Sequence, residues 1–205
     1  MKKILNYFKL VLILFCLCLV GCSSSNKVSE KEWDDALSLS AFSNCKVELT
    51  YGYYIGEGVG KKMDVYEKVE LVFANEKQYA IDWKYDDDEL ELDGEYYYHI
   101  KENGYTYEYS RYSDKDPWEM KITYDNPCED VILELSELLT SMLNYSDFKY
   151  NEASDSYVYQ NDLAAYKVSF KNNKISNFNI SYSNDYVINI KVSGYGRQRV
   201  VLPII

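Results

Sequence analysis

The sequence predicts an α+β fold: a strongly curved antiparallel β-sheet, or half-barrel, covered on its concave face by two α-helices. Three observations lead to this prediction. Most of the chain alternates apolar and polar residues, which is typical of strands that bury only one face. Two segments repeat their apolar residues at helical spacing and are suited to cover that face. A single sheet built from so many strands has to curl.

A first helix is predicted near residues 30–42. Ser29 and Glu32 stand at the spacing of a capping box, in which each side chain accepts a hydrogen bond from the other residue's backbone amide. The apolar residues that follow share one helical face: Trp33, Ala36, Leu37 and Ala41.

Strands make up most of the rest of the chain. Residues 45–53 alternate between apolar and polar side chains, which predicts a half-buried strand. The same pattern predicts strands near 65–73, 79–85, 118–124, 148–151, 156–160, 163–171, 175–183 and 185–193. A loop at 172–174 would place Tyr166 opposite Ile180 and Val168 opposite Phe178, because that register sets apolar against apolar.

A second helix is predicted near residues 128–145. Asn126 is a favourable N-cap, and Pro127 fits the first helical position. The apolar residues then recur at helical spacing: Val131, Leu135, Leu138, Leu139 and Met142.

The segment EYYYHIKENGYTYEYSRY, residues 95–112, holds seven tyrosines and the chain's one histidine. Asn103-Gly104 between alternating runs predicts a hairpin with a two-residue type I′ turn. That turn pairs Tyr98 with Tyr109, Ile100 with Tyr107, and Tyr96 with Arg111, all on one buried face. It places His99 opposite Glu108 on the other face, which favours a cross-strand polar pair over a catalytic histidine.

The N-terminus has the layout of an export signal. An unbroken apolar run, LVLILFCLCLV, follows Lys2, Lys3 and Lys9 and is too short to span a bilayer. Leu19-Val20-Gly21-Cys22 follows. This motif resembles the lipobox of bacterial lipoproteins. The resemblance implies cleavage between Gly21 and Cys22, a diacylglycerol on the Cys22 thiol, and attachment to the extracytoplasmic side of the cell membrane.

The resulting domain organisation has three parts. Residues 1–21 form the signal peptide, residues 22–31 the lipidated cysteine with a polar tether, and residues 32–205 a single curved-sheet domain. Two or three acyl chains on one cysteine would make the attachment effectively permanent. The alternative is an uncleaved membrane anchor, which places the domain in the same compartment.

Charge and cysteine usage narrow the function further. The net charge of −11 disfavours binding to nucleic acid and electrostatic attraction of the folded domain to anionic lipid. Of the cysteines outside the signal peptide and the lipobox, Cys45 and Cys128 are predicted either to form a disulfide or to be two separate buried thiols. One histidine and no CxxC motif argue against a metal site.

Two further segments are predicted to be connections between strands rather than ligand-binding loops. The glycines from Gly52 to Gly60 lack the spacing and the following helix of a nucleotide-binding loop, so a mobile or bulged connection between two strands is predicted. The acidic run 86–93 lacks the ligand order of an EF-hand and is predicted to be a solvated loop.

The order helix, strands, helix, strands resembles the lipoprotein-carrier and mycobacterial lipoprotein-transport group, the LolA/LppX-like half-barrels. The resemblance implies an apolar cavity between the concave sheet and the helices. The residues predicted to line it are Tyr96, Tyr98, Ile100, Tyr107, Tyr109, Trp83, Leu135 and Leu139. A cystatin-like or other helix-on-sheet fold is the alternative.

The predicted function is non-catalytic binding by a membrane-anchored lipoprotein, with a lipid or another apolar small molecule as ligand. The alternative is a protein-interaction module on the cell surface. No catalytic triad, metal cluster or cofactor motif stands out, so neither an enzyme nor a cofactor is predicted, and the domain is expected to be monomeric.

Overall fold

The computed structural model describes residues 26–55, 62–75, 77–86, 89–100, 105–123, 139 and 143–204. One α-helix is seen in these ranges, α1 (Glu30–Leu37), with 3-10 turns at Leu39–Phe42 and Tyr145–Asp147. The strands are β1 Asn44–Ile55, β2 Lys62–Ala74, β3 Lys77–Asp86, β4 Glu89–Ile100, β5 Thr106–Arg111, β6 Glu119–Thr123, β7 Lys149–Asn151, β8 Ser156–Gln160, β9 Ala164–Lys171, β10 Lys174–Tyr182 and β11 Tyr186–Ser193.

These strands form one eleven-stranded sheet in the order β6-β5-β4-β3-β2-β1-β11-β10-β9-β8-β7. Every neighbouring pair is antiparallel. The pairing of β1 with β11 joins two meanders, each of which runs outward to an edge strand. The order is linear, so β6 and β7 are the edges of the sheet that the described strands form.

The predicted half-barrel with two covering helices is therefore wrong. The described residues are mostly one large antiparallel sheet, and the one α-helix whose full extent lies among them has eight residues. The predicted second helix, 128–145, lies outside the described residues except for Leu139 and residues 143–145. The resemblance to LolA/LppX-like half-barrels was one of layout alone, and its second helix lies mostly outside the described residues, so the resemblance stays untested.

Helix α1 begins at the predicted capping box. Ser29 accepts a hydrogen bond from the Glu32 amide at 3.4 Å, and Glu32 accepts one from the Ser29 amide at 2.8 Å. The helix ends at Leu37 rather than near residue 42, because Ser38 adopts an extended backbone conformation with φ −65° and ψ 148°.

Trp33 on α1 is the centre of the hydrophobic core. Its ring is fully buried and lies 5.1–5.6 Å from the rings of four aromatic residues: Tyr145, Phe148, Tyr157 and Phe170. Its Nε1 donates to the Leu143 carbonyl at 3.0 Å, so the one polar atom of the ring is satisfied. We call the sheet face that packs on α1 the inner face and the opposite one the outer face.

The hairpin of β9 and β10 confirms its predicted register. Tyr166 pairs with Ile180 and Val168 with Phe178. The connection is a two-residue turn, Asn172 and Asn173, with φ of 54° and 57°, as a type I′ turn requires. An irregularity between Ile175 and Asn177 restores the register that the predicted longer loop would have given.

The hairpin of β4 and β5 does not have its predicted register. Tyr98 pairs with Glu108 rather than Tyr109, and Ile100 pairs with Thr106 rather than Tyr107. A shift of one residue moves alternate side chains to the opposite face. Tyr107 and Tyr109 are therefore on the outer face, whereas Tyr96 and Tyr98 are on the inner face.

The apolar side of the sheet also changes between β2 and β3. Leu71 and Phe73 of β2 face the core, but they pair with Ala80 and Gln78 of β3. The large apolar residues of β3, which alternate with these, consequently point to the outer face: Tyr79, Ile81 and Trp83. The core thus lies mainly under β1, β2 and β8–β11, whereas β3 and β5 carry aromatic residues on the outer face and β4 carries tyrosines on both faces.

Candidate interaction surface

The outer face of β3–β6 carries a continuous row of aromatic and apolar side chains. Tyr79 pairs with Tyr97, Tyr97 with Tyr109, and Tyr109 with Met120, so one row crosses four strands. A second row, Tyr107 and Ile122, lies beside it. We call this set the outer aromatic surface: Tyr79, Tyr97, Tyr107, Tyr109, Trp118, Met120 and Ile122.

Ring contacts hold the middle of this surface in place. The centroids of Tyr79 and Tyr97 are 4.6 Å apart, and the ring of Trp118 meets Tyr97 edge-on at 5.2 Å. Such contacts stabilise aromatic pairs beyond their buried area. Trp118 comes from the segment before β6, so the contact also fixes how that segment approaches the sheet.

A buried ion pair supports the same rings. Arg111 donates from Nε to Glu95 at 2.6 Å and from Nη2 at 2.5 Å, while its guanidinium carbon lies 4.6 Å from the centre of the Trp118 ring. Glu95 is only 7% exposed. Removing Arg111 would leave the Glu95 carboxylate buried without its partner, and the pair holds the Arg111 guanidinium against the Trp118 ring.

Burial and a neighbouring carboxylate keep two tyrosines of this surface, Tyr79 and Tyr97, neutral. Burial, followed by the neighbouring Glu95 carboxylate, raises the pKa of Tyr79. The same two causes raise the pKa of Tyr97. Both phenols therefore stay protonated, as hydrogen-bond donors with apolar rings. That is the chemistry of a contact surface rather than of a nucleophile.

Exposure is concentrated at the β6 edge of this surface. Met120 is 45% exposed and Ile122 is 53% exposed. In the part of the chain that the structure describes, no strand pairs with β6 along the edge that faces away from β5. An edge strand with unpaired backbone groups and apolar side chains is a template for another strand.

The residues predicted to line a cavity do not lie on one face. Tyr96 and Tyr98 stack on the inner face with centroids 6.4 Å apart, and Leu139 is fully buried in the core. Tyr107, Tyr109 and Trp83 belong to the outer face, where Lys68 lies 4.7 Å over the Trp83 ring. Leu135 and the Ile100 side chain lie outside what the structure describes.

The predicted pairing of His99 with Glu108 is wrong. His99 pairs with Tyr107 on the outer face, whereas Glu108 is on the inner face beside Tyr98 and contacts Lys121 at 2.8 Å. Among the described residues, no group of three or more potential metal ligands is found.

The remaining sequence-predicted residues are only partly visible. Among the described residues Cys45 has no disulfide partner; its buried Sγ donates to the Phe42 carbonyl at 3.4 Å, and burial raises the pKa of the thiol to about 12. Cys128, Gly21 and Cys22 lie outside the described residues, so the disulfide and the lipidation stay predictions. Within the described ranges, no helix is long and apolar enough to cross a membrane.

Pockets in the described structure are lined by mixed side chains. One of about 530 Å³ is lined by polar residues, including Asp147, Lys149 and Asn179, together with Tyr159 and Tyr166. Another, of about 420 Å³, lies at the end of the sheet between the start of β10 and the end of β11.

Comparison with known proteins adds no family. No family model matches the chain, and no curated protein shows a significant match.

Sequence reasoning missed the outer aromatic surface. The alternation in β3 and in β6 was visible, but alternation does not tell which side of the sheet the apolar residues take. The signal that could have shown it is the two-residue β2–β3 connection, which pairs Phe73 with Gln78 and Leu71 with Ala80.

Proposed function

We propose that this protein is a lipid-anchored, extracytoplasmic binding protein that pairs the β6 edge of its sheet with an extended segment of a partner protein. The observation that carries the proposal is an edge strand whose apolar side chains, Met120 and Ile122, are exposed beside the tyrosines of β5. The protein binds and does not catalyse.

The edge supports this mode of binding through its backbone and its side chains together. Main-chain hydrogen bonds to an edge strand supply affinity, and alternate side chains supply specificity. Met120 and Ile122 are alternate residues and point to the same face as Tyr107 and Tyr109. A partner strand laid beside β6 would place its own alternate side chains on that face.

The partner chemistry follows from the surface. Two of the cations near the surface are already engaged, since Arg111 is paired with Glu95 and Lys121 with Glu108. What remains for a partner is aromatic and aliphatic area, with tyrosine hydroxyls around it. An extended segment with apolar residues at every second position fits this surface better than a highly charged one.

The sequence supports the anchored location through the lipobox-like Leu19-Val20-Gly21-Cys22. Binding of a lipid in a cavity between the sheet and the helices, which the sequence predicted, has less support. The inner face of β1, β2 and β8–β11 is filled by side chains of the core, including Trp33, Leu139 and Leu143.

The test is photo-crosslinking in the native host. A photoreactive amino acid at Ile122 should give one discrete adduct with an extracytoplasmic protein, mapped by mass spectrometry to an extended segment. The same amino acid at Leu163, which is 70% exposed at the opposite side of the molecule, is the matched control and should not give that adduct.

Affinity then decides whether β6 is the site. A synthetic peptide of the mapped segment should bind the purified protein and slow amide exchange in β6. Met120→Lys should weaken binding about tenfold or more, as expected for an anchoring side chain, whereas Leu163→Lys should leave it unchanged. An adduct of twice the chain mass, or equal binding by both variants, would contradict the proposal.

A further inference from the structure

The residues that follow Cys22 are tied to one end of the sheet almost at once. The Asn26 amide donates to Asp155 at 3.1 Å, and its side-chain Nδ2 donates to the same carboxylate at 2.5 Å. Tyr157 completes the contact, because its hydroxyl accepts from the Val28 amide at 2.8 Å and donates to the Val28 carbonyl at 2.7 Å. We call Asn26–Ser29 the strap.

The strap shortens the tether that the sequence predicts. Residues 26–31 belong to the folded domain, so only Ser23, Ser24 and Ser25 separate Cys22 from the strap. Four Cα-to-Cα steps span at most about 14 Å when fully extended. A lipid on Cys22 would therefore hold this end of the sheet close to the bilayer.

The same end of the sheet carries a cationic pocket. The pocket of about 420 Å³ is lined by Lys171, Lys174 and Arg197, and no acidic residue is among its lining residues in the described chain. All three cations are exposed, and the Lys174 ammonium lies 4.5 Å from the centre of the Tyr195 ring. This is a concentration of positive charge in a chain whose net charge is −11.

The pocket and the strap are close together. The β9–β10 turn, which separates Lys171 from Lys174, lies two strands away from the β7–β8 turn that holds Asp155, a distance of about 10 Å. Asn173 in that turn donates to Glu32 of α1 at 2.5 Å. Two carboxylates near the strap are engaged by these contacts, since Glu32 accepts from Asn173 and Asp155 also accepts from Tyr150, whereas Glu30 and Glu152 are exposed.

We propose that the strap end of the sheet rests on the membrane surface, and that Lys171, Lys174 and Arg197 bind the phosphates of anionic phospholipids there. The proposal rests on the lipid anchor of the proposed function and adds an orientation to it. Long basic side chains within a Debye length, about 8 Å, of the surface are attracted by it. The β6 edge then stays accessible at the side of the molecule.

The test uses the full-length protein made in bacteria that acylate lipoproteins, purified and reconstituted in phosphatidylcholine vesicles with or without phosphatidylglycerol. A fluorescent amino acid is placed at Ala153 in the β7–β8 turn or at Leu163 in the β8–β9 connection. These positions are exposed and lie at the two ends of β8. Brominated lipids should quench the probe at Ala153 and not the probe at Leu163, most strongly with phosphatidylglycerol.

Charge reversal tests the pocket itself. Lys171→Glu, Lys174→Glu and Arg197→Glu together should remove the effect of phosphatidylglycerol, since each basic residue near an anionic surface strengthens attraction about fivefold. The matched control reverses exposed lysines elsewhere, Lys62, Lys115 and Lys167, and should keep it. Acylated protein with equal quenching at both probes, or with no effect of the pocket variant, would overturn the orientation alone. Purified protein whose intact mass shows no acyl group would instead overturn the anchor, and the orientation with it.

Discussion

Asp82 shows for a single residue that the change of apolar face between β2 and β3 places a carboxylate on the inner face. It lies on the inner face opposite Val69, where the other strands carry apolar side chains. Its Oδ1 is buried without a hydrogen-bond partner among the described residues, as is Oε1 of Gln78 in the same strand. Burial, followed by the nearby Glu67, raises the pKa of Asp82 above its usual 3.8. Gln78 and Asp82 thus occupy inner-face positions that apolar side chains would suit better.

We expect Asp82→Asn to stabilise the protein at neutral pH. An acid whose pKa is higher in the folded state binds more protons there, so the ionised carboxylate destabilises the fold above its raised pKa, and this penalty disappears as the pH falls towards 3.8. The gain from Asp82→Asn, measured by urea unfolding, should shrink over the same range. Asp162→Asn, at an exposed carboxylate, is the control; a gain independent of pH would contradict the argument.

Local rules worked well for individual elements and less well between them. The capping box of α1 and the register of β9 with β10 follow from residues a few positions apart, and both were predicted. The strap was not predicted, because Asn26 and Asp155 are 129 residues apart in sequence and nothing local indicates their contact. A polar segment next to a lipidation motif suggests a loose tether until its partners are seen.

We expect Tyr157→Phe to loosen the strap. The substitution leaves the buried amide of Val28 without its hydrogen-bond partner, while the Val28 carbonyl keeps the Tyr145 hydroxyl at 3.3 Å. The unsatisfied amide should cost about 1–3 kcal/mol of unfolding free energy. Hydrogen exchange at the Val28 amide should become faster, together with a lower urea midpoint. Tyr159→Phe in the same strand is the matched control, and an equal effect of both substitutions would argue against the strap.

At the scale of the whole molecule, the pairing of β1 with β11 decides whether the chain behaves as one unit. The pairing brings Val47 beside Val192 and Leu49 beside Ile190, joining strands from opposite ends of the chain. The contacts of β1–β6 and of β7–β11 are otherwise mostly within each meander. Cooperative unfolding of the whole sheet therefore depends on the pairing of β1 with β11.

We expect Ile190→Ala to destabilise both meanders together. Ile190 is buried between Leu49 and Phe178, and removing a buried aliphatic side chain of this size costs about 2–5 kcal/mol. Native-state hydrogen exchange should speed up in β3–β5 as well as in β8–β10. Leu163→Ala, at an exposed position, should change neither; faster exchange in β8–β10 alone would show that the two meanders unfold separately.

The sequence by itself determined the class of most described elements, the capped helix and the register of β9 with β10, because each depends on residues within one local pattern. Only the tertiary structure decided which side of the sheet each alternating strand presents. Alternation has a period of two and is unchanged when a strand is turned over, so the side depends on how each connection sets the pairing. That choice moved the tyrosines of β3 and β5 to the outer face, where they form a surface rather than the wall of a cavity.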